Sequence, residues 1–142
     1  MIVARRKSRI IAFQALYSWD VNAAPLDELL EFSWVDSAVL DRMGDENLLF
    51  TKLLISGTIE NIEEIDSVIK KHLTAKWSFD RISKVDLAVL RVSVYPLLYQ
   101  KDMPSSIIID EAIDISKEFG SDDSFKFING VLDSVKNAYR SE

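Results

Sequence analysis

The chain has no cysteine, one histidine, three prolines and four glycines in 142 residues. Without cysteine there are no disulfides, no thiolate metal ligands and no thiol nucleophile, and a reducing compartment fits. The single histidine, His72, has no His or Cys companion to share a metal ion, and reads as a dipole-favoured residue at a helix C-terminus. No run of 18 apolar residues is present, so no membrane-spanning helix is expected. Residues 10–16 are apolar but interrupted by Gln14 and lack a small-residue cleavage site, so they do not read as a signal peptide. The expected protein is soluble and cytoplasmic, with no membrane contact.

Catalytic signals are also missing. There is no glycine-rich phosphate loop and no metal-spaced His/Asp/Glu cluster. The acid pairs Glu63-Glu64, Asp110-Glu111 and Asp122-Asp123 are adjacent in sequence, and neighbours on a helix point about 100° apart, so they do not converge as an acid–base dyad. No catalytic residue, metal or cofactor is expected, and the chain reads as a non-enzyme.

What is present is a marked separation of charge. Arg5, Arg6, Lys7 and Arg9 crowd the start, and no acid occurs before Asp20, although the chain as a whole carries a net −6. Set those four cations aside, and the 13 remaining Lys and Arg face 23 Asp and Glu. Such a split points to a polyanion contact confined to a small surface, with nucleic acid the first candidate because Lys and Arg displace condensed counterions from phosphates. A solvated basic tail is the alternative on charge alone. Positive charge in a helix's first turn opposes the macrodipole, so something besides helix stability accounts for the cluster.

Hydrophobic residues make up 48% of the chain, enough for a packed core. Their spacing is three and four throughout, which predicts an all-α protein. A first helix is expected over residues 4–20, with Ile10, Phe13 and Tyr17 on one stripe, then a break near Pro25 and a short helix over 26–34. Residues 41–45 read as a loop around Gly44. A long helical pattern covers 46–73, with Gly57-Thr58 the expected bend or split. The connector 74–83 should pin Trp77 and Phe79 into the core. Residues 85–99 are apolar almost all round and predict a central helix, kinked by Pro96. Arg91 is its one charge between Asp86 and Lys101; if buried it needs a carboxylate, with Asp110 or Glu111 the expected partner. Ser105 or Ser106 should cap the next helix, Gly120 should end it in the left-handed conformation, and Ser121 should cap the last. Gly130 is expected where two helices approach closely.

Two dense segments then resemble a known family. Residues 4–19, Ala-Arg-Arg-Lys-Ser-Arg-Ile-Ile-Ala-Phe-Gln-Ala-Leu-Tyr-Ser-Trp, resemble the N-terminal helix of the bacterial transcription antitermination factors of the NusB family. Residues 110–133 match that family's C-terminal signature, including Glu111-Ala112, Phe119-Gly120 and Lys126-Phe127-Ile128-Asn129-Gly130-Val131-Leu132-Asp133. Between them, Val85-Asp86-Leu87-Ala88-Val89-Leu90-Arg91 is similar to the family's central helix. The resemblance covers essentially the whole chain in the same order.

The resemblance implies a single all-α domain over 1–142, with a NusB-like fold of about seven helices in two small bundles, residues 1–80 and 81–142. It also implies binding of the single-stranded boxA element of ribosomal RNA leaders together with the small-subunit protein NusE. That complex would help RNA polymerase read through terminators and promote rRNA maturation. Carried over residue by residue, Arg5, Arg6, Lys7 and Arg9 become phosphate contacts, and Gln14 and Tyr17 become candidates to touch bases. Lys126, Phe127 and Asn129 are expected near RNA, so the leading turn and the helix around Asn129 should form one cradle. Such a set of cations, aromatic rings and an amide suits single-stranded RNA. Asp86 is the partner-facing candidate for NusE. Where many family members have His, this chain has Phe125. The alternative is a protein-interaction module without sequence-specific RNA recognition. A homodimer that masks the basic face would regulate access to RNA.

Overall fold

The computed structural model describes residues 2–141, the side chains of residues 2–4 excepted. Among these residues seven α-helices follow one another: α1 Ile2–Asn22, α2 Leu26–Glu31, α3 Ser37–Glu60, α4 Ile62–Lys71, α5 Lys84–Tyr99, α6 Ser105–Phe119 and α7 Ser124–Tyr139. A 3-10 turn, Phe79–Arg81, precedes α5, and no strand occurs among the described residues.

The centre is α5. Leu87, Ala88, Val89, Leu90, Val92, Val94 and Leu97 are all buried on it, and each fully buried aliphatic side chain contributes about 1.5–3 kcal/mol. Helices α1, α3, α4, α6 and α7 all pack around it. From α1 the buried face is Ile10, Ile11, Phe13 and Leu16, and from α7 it is Ile128, Val131, Leu132 and Val135. Ser8, in the middle of the basic run, is fully buried where α1 meets α3. Its hydroxyl donates to the Asn47 carbonyl at 3.3 Å.

Several boundaries differ from expectation for identifiable reasons. Helix α2 stops at Glu31 because Phe32 turns left-handed (φ 57) and the Trp34 indole N–H donates to the Leu29 carbonyl at 3.2 Å. The expected loop at 41–45 lies inside α3, which is capped by Asp36, whose carboxylate accepts the Ala38 N–H at 2.9 Å. Only Gly44 leaves helical geometry there (φ 80), a conformation that favours glycine. The split expected at Gly57-Thr58 falls at Asn61, and Gly57 stays helical. Gly57 is the true point of close approach, since a Cβ there would overlap the Tyr95 ring of α5. Gly130, expected in that role, is exposed with open space around it.

At the end of α6, Gly120 is extended (φ −91, ψ −173) rather than left-handed. Glycine is demanded there by space: a Cβ would lie 2.7 Å from the Ser116 carbonyl oxygen. The expected cap at Ser121 is reversed, because Ser124 opens α7 and its hydroxyl accepts the Ser121 N–H at 2.9 Å. Neither Ser105 nor Ser106 caps α6, whose N-cap is Pro104. Helix α5 continues through Pro96 to Tyr99. The Arg140 guanidinium supports that end by donating to the carbonyls of Pro96, Leu97, Gln100 and Met103 at 2.8–3.2 Å.

Arg91 is buried, but its partners are not Asp110 or Glu111. It donates to both carboxylate oxygens of Asp66 on α4, at 2.9 and 2.8 Å, and lies 3.4 Å from Asp20 of α1. Asp110 is exposed on α6, and Glu111 is engaged by other arginines. Trp77 is not pinned in the core: it is 46% exposed and rests on Phe127 with ring centroids 4.7 Å apart. Phe79 is half-buried, with the Lys70 ammonium 4.9 Å from its ring.

Candidate nucleic-acid interface

The first turns of α1 run along one wall of an open cleft of about 690 Å³. Arg5, Arg6 and Arg9 line it from α1, Phe50 from α3, and Met103 and Ile107 from the α5–α6 turn and the start of α6. Asp102, Asp110, Glu111 and Asp114 form the acidic side. The Arg5 guanidinium lies 4.0 Å from the Phe50 ring centroid and that of Arg9 5.4 Å, placing both within cation–π range.

The cations differ in how they are held. Arg6 donates from Nη2 to Glu111 Oε2 at 2.7 Å and to Asp114 Oδ2 at 2.6 Å. Arg9 reaches Glu111 Oε1 at 3.4 Å and the Met103 sulfur at 3.3 Å. Arg5 has a long contact to Glu46, 3.8 Å, beside its cation–π contact with Phe50. Lys7 is exposed. The hydrogen bond to Glu111, with its charge, raises the Arg6 pKa above the ordinary guanidinium value; burial lowers that of Arg9. These carboxylates offset the positive charge of Arg5, Arg6 and Arg9 near the start of α1, where the helix dipole disfavours cations.

The other expected residues are dispersed. Gln14 is exposed on α1, one residue beyond Phe13, which packs on Phe119 at the end of α6 with centroids 5.3 Å apart. Tyr17 is half-buried and packs against the core. On α7, Lys126 and Asn129 are exposed, and Phe127 is half-buried beneath Trp77. Phe125 has the Lys117 ammonium 4.9 Å from its ring and that of Lys126 5.9 Å away. Helix α1 packs on α3, α5 and α6, whereas α7 packs on α4, α5 and α6. The two expected RNA-facing helices thus share α5 and α6 as packing neighbours, with α5 the main link between them. Asp86, in the first turn of α5, is buried, and its Oδ1 has no hydrogen-bond partner among the described residues.

Phe50, Met103 and Asp114 belong to the cleft but drew no functional reading from the sequence. Glu111 drew a structural expectation instead, as a partner for Arg91. Arg6 and Glu111 are 105 positions apart, so only folding reveals the pair. No group of three His, Asp or Glu side chains positioned to hold a metal ion occurs among the described residues. None of the described helices is long and apolar enough to cross a membrane.

Fold and cleft together define an all-helical protein that presents a cationic helix end at an open groove. Residues 6–137 match the model of the NusB family. Over 138 residues the chain is 56% identical to the transcription antitermination protein NusB of Treponema denticola, covering 96% of this chain and 98% of that protein. It is 41% identical over 128 residues to the NusB of Borreliella burgdorferi, covering 89% of each. Among solved structures, NusB of T. maritima superposes with a TM-score of 0.77 at 35% identity, covering 95% of this chain and 92% of that one. A chain from the crystal structure of antitermination factors NusB and NusE in complex with dsRNA superposes with a TM-score of 0.82 at 30% identity, covering 98% and 100%. The chain belongs to the NusB family.

Proposed function

We propose that this protein is a transcription antitermination factor that binds the single-stranded boxA element of ribosomal RNA leaders together with NusE. The assembly would act on RNA polymerase to promote read-through and rRNA maturation. One observation carries the reading: Arg5, Arg6 and Arg9 gather from α1 at a single open cleft, with the exposed Lys7 beside them. Arginine forks and a flexible lysine suit phosphate oxygens, which fix position without reading sequence. Base contacts fall to Gln14, Tyr17, Lys126, Phe127 and Asn129, where amides and rings can meet unstacked bases. Asp86 is the residue assigned to NusE. The related NusB–NusE structure with dsRNA supports the choice of both partners.

The test is a titration of boxA-like and scrambled single strands, and of a duplex, with NusE present. Tighter binding of the boxA strand supports the proposal; equal affinity for boxA and scrambled strands overturns it.

A second reading, a protein-interaction module that does not read RNA sequence, is favoured by the carboxylates already bonded to Arg6 and Arg9. Capture of NusE that survives ribonuclease, with no RNA crosslink to residues 5–17, would select it.

A further inference from the structure

Two carboxylates of α6 bind Arg6 and Arg9 of α1, and they do so in different surroundings. Glu111 is nearly enclosed, with its side chain 9% exposed, and it serves two guanidiniums. Its Oε2 takes the short bond from Arg6 Nη2, and its Oε1 faces Arg9 Nη1. Asp114, one turn further along α6, is 46% exposed and among the described residues pairs with Arg6 alone, which is itself 45% exposed. Two cations and two anions cancel, so Arg6, Arg9, Glu111 and Asp114 form a neutral group within a cationic turn.

We propose that the two acids do opposite things to an incoming phosphate. Glu111 is a positioning residue that holds Arg6 and Arg9 side by side. Asp114 takes the second N–H of the Arg6 Nη2 that also bonds Glu111, and must give it up when a phosphate arrives. The inference deepens the RNA-binding reading and rests on it for the identity of the natural anion. Geometry separates the roles. A buried acid shared by two arginines fixes their forks before binding and lowers the ordering cost of each long side chain. An exposed acid on one of them is a weak, salt-screened pair that a phosphate can replace.

Charge alone predicts that removing either acid strengthens polyanion binding. The proposal predicts opposite signs. Asp114→Asn should bind a 12-nucleotide single-stranded RNA roughly two- to five-fold more tightly at low salt. Its plot of log K against log salt should be steeper by up to about 0.7, the share of one further neutralised phosphate. Glu111→Gln should bind roughly ten-fold more weakly despite its added positive charge, because two arginines lose their anchor. Glu111→Asp, which keeps the carboxylate, should recover most of the loss. Glu28→Gln makes the same charge change on exposed α2 and should leave the slope unchanged.

The same variants titrated with inorganic tripolyphosphate, read by the Arg6 Nε–H resonance, give an arm independent of RNA. If RNA fails to bind but tripolyphosphate shows the opposite signs, the RNA reading falls and the proposal stands. If RNA binds while Asp114→Asn matches wild type or Glu28→Gln, the competitor role is overturned. If folded Glu111→Gln binds either probe as tightly as wild type, the positioning role is overturned.

Discussion

Arg91 and Asp66 meet fork to fork, with Nε on Oδ1 at 2.9 Å and Nη2 on Oδ2 at 2.8 Å, in a site where the arginine side chain is only 7% exposed. With Asp20 beside them, α1, α4 and α5 are tied at one point. Asp66→Ala should leave a nearly enclosed charge with one distant partner. The expected loss is about 3–5 kcal/mol, read as a fall in the urea midpoint with little change in slope. A loss below about 1 kcal/mol would show that Asp20 and water suffice.

Arg140 should act as a structural cap. Its guanidinium serves four carbonyls at the end of α5 and in the following turn. Arg140→Ala should lower stability by about 2 kcal/mol, since charge-assisted hydrogen bonds lie in that range. Amide exchange should quicken first around Leu97–Gln100, and unchanged exchange there would refute the assignment.

Two glycines should respond to alanine with opposite signs. At Gly57 the added methyl meets the Tyr95 ring, so Gly57→Ala should destabilise by about 1–3 kcal/mol. At Gly130 the space is open and the backbone helical, so Gly130→Ala should stabilise by up to about 1 kcal/mol. Thermal unfolding of both variants decides this together.

Binding should separate by residue type. Arg5→Ala with Arg6→Ala should weaken all single strands alike and flatten the salt dependence by about 0.7 for each phosphate lost. Asn129→Ala should instead narrow the gap between boxA and scrambled sequences. Equal loss on both strands for Asn129→Ala would remove it from the base-reading set.

Most of the helices were legible because each buries one regular stripe, as Phe13 with Ile10 and Val131 with Ile128 show. Ends were less legible, because local chemistry competes there. Phe32 and Trp34 close α2 early by a left-handed turn and an indole bond, neither of which has a period to read. The Arg91 pairing was misassigned because helix order does not tell which face of α5 meets α4. The cations of the cleft were visible in sequence, but their carboxylates were not. Glu111 belongs to the family signature, yet its bond to Arg6 spans more than a hundred positions.

Ser8 carries one more consequence. Arg-Arg-Lys-Ser at 5–8 is the kind of string that basophilic protein kinases favour, and a phosphate there would cancel neighbouring positive charge. Yet the hydroxyl is sealed between α1 and α3 and bonded to the backbone of Asn47. Enzymatic modification would require α1 to peel away first, so the folded protein keeps its cationic face out of reach of that form of control.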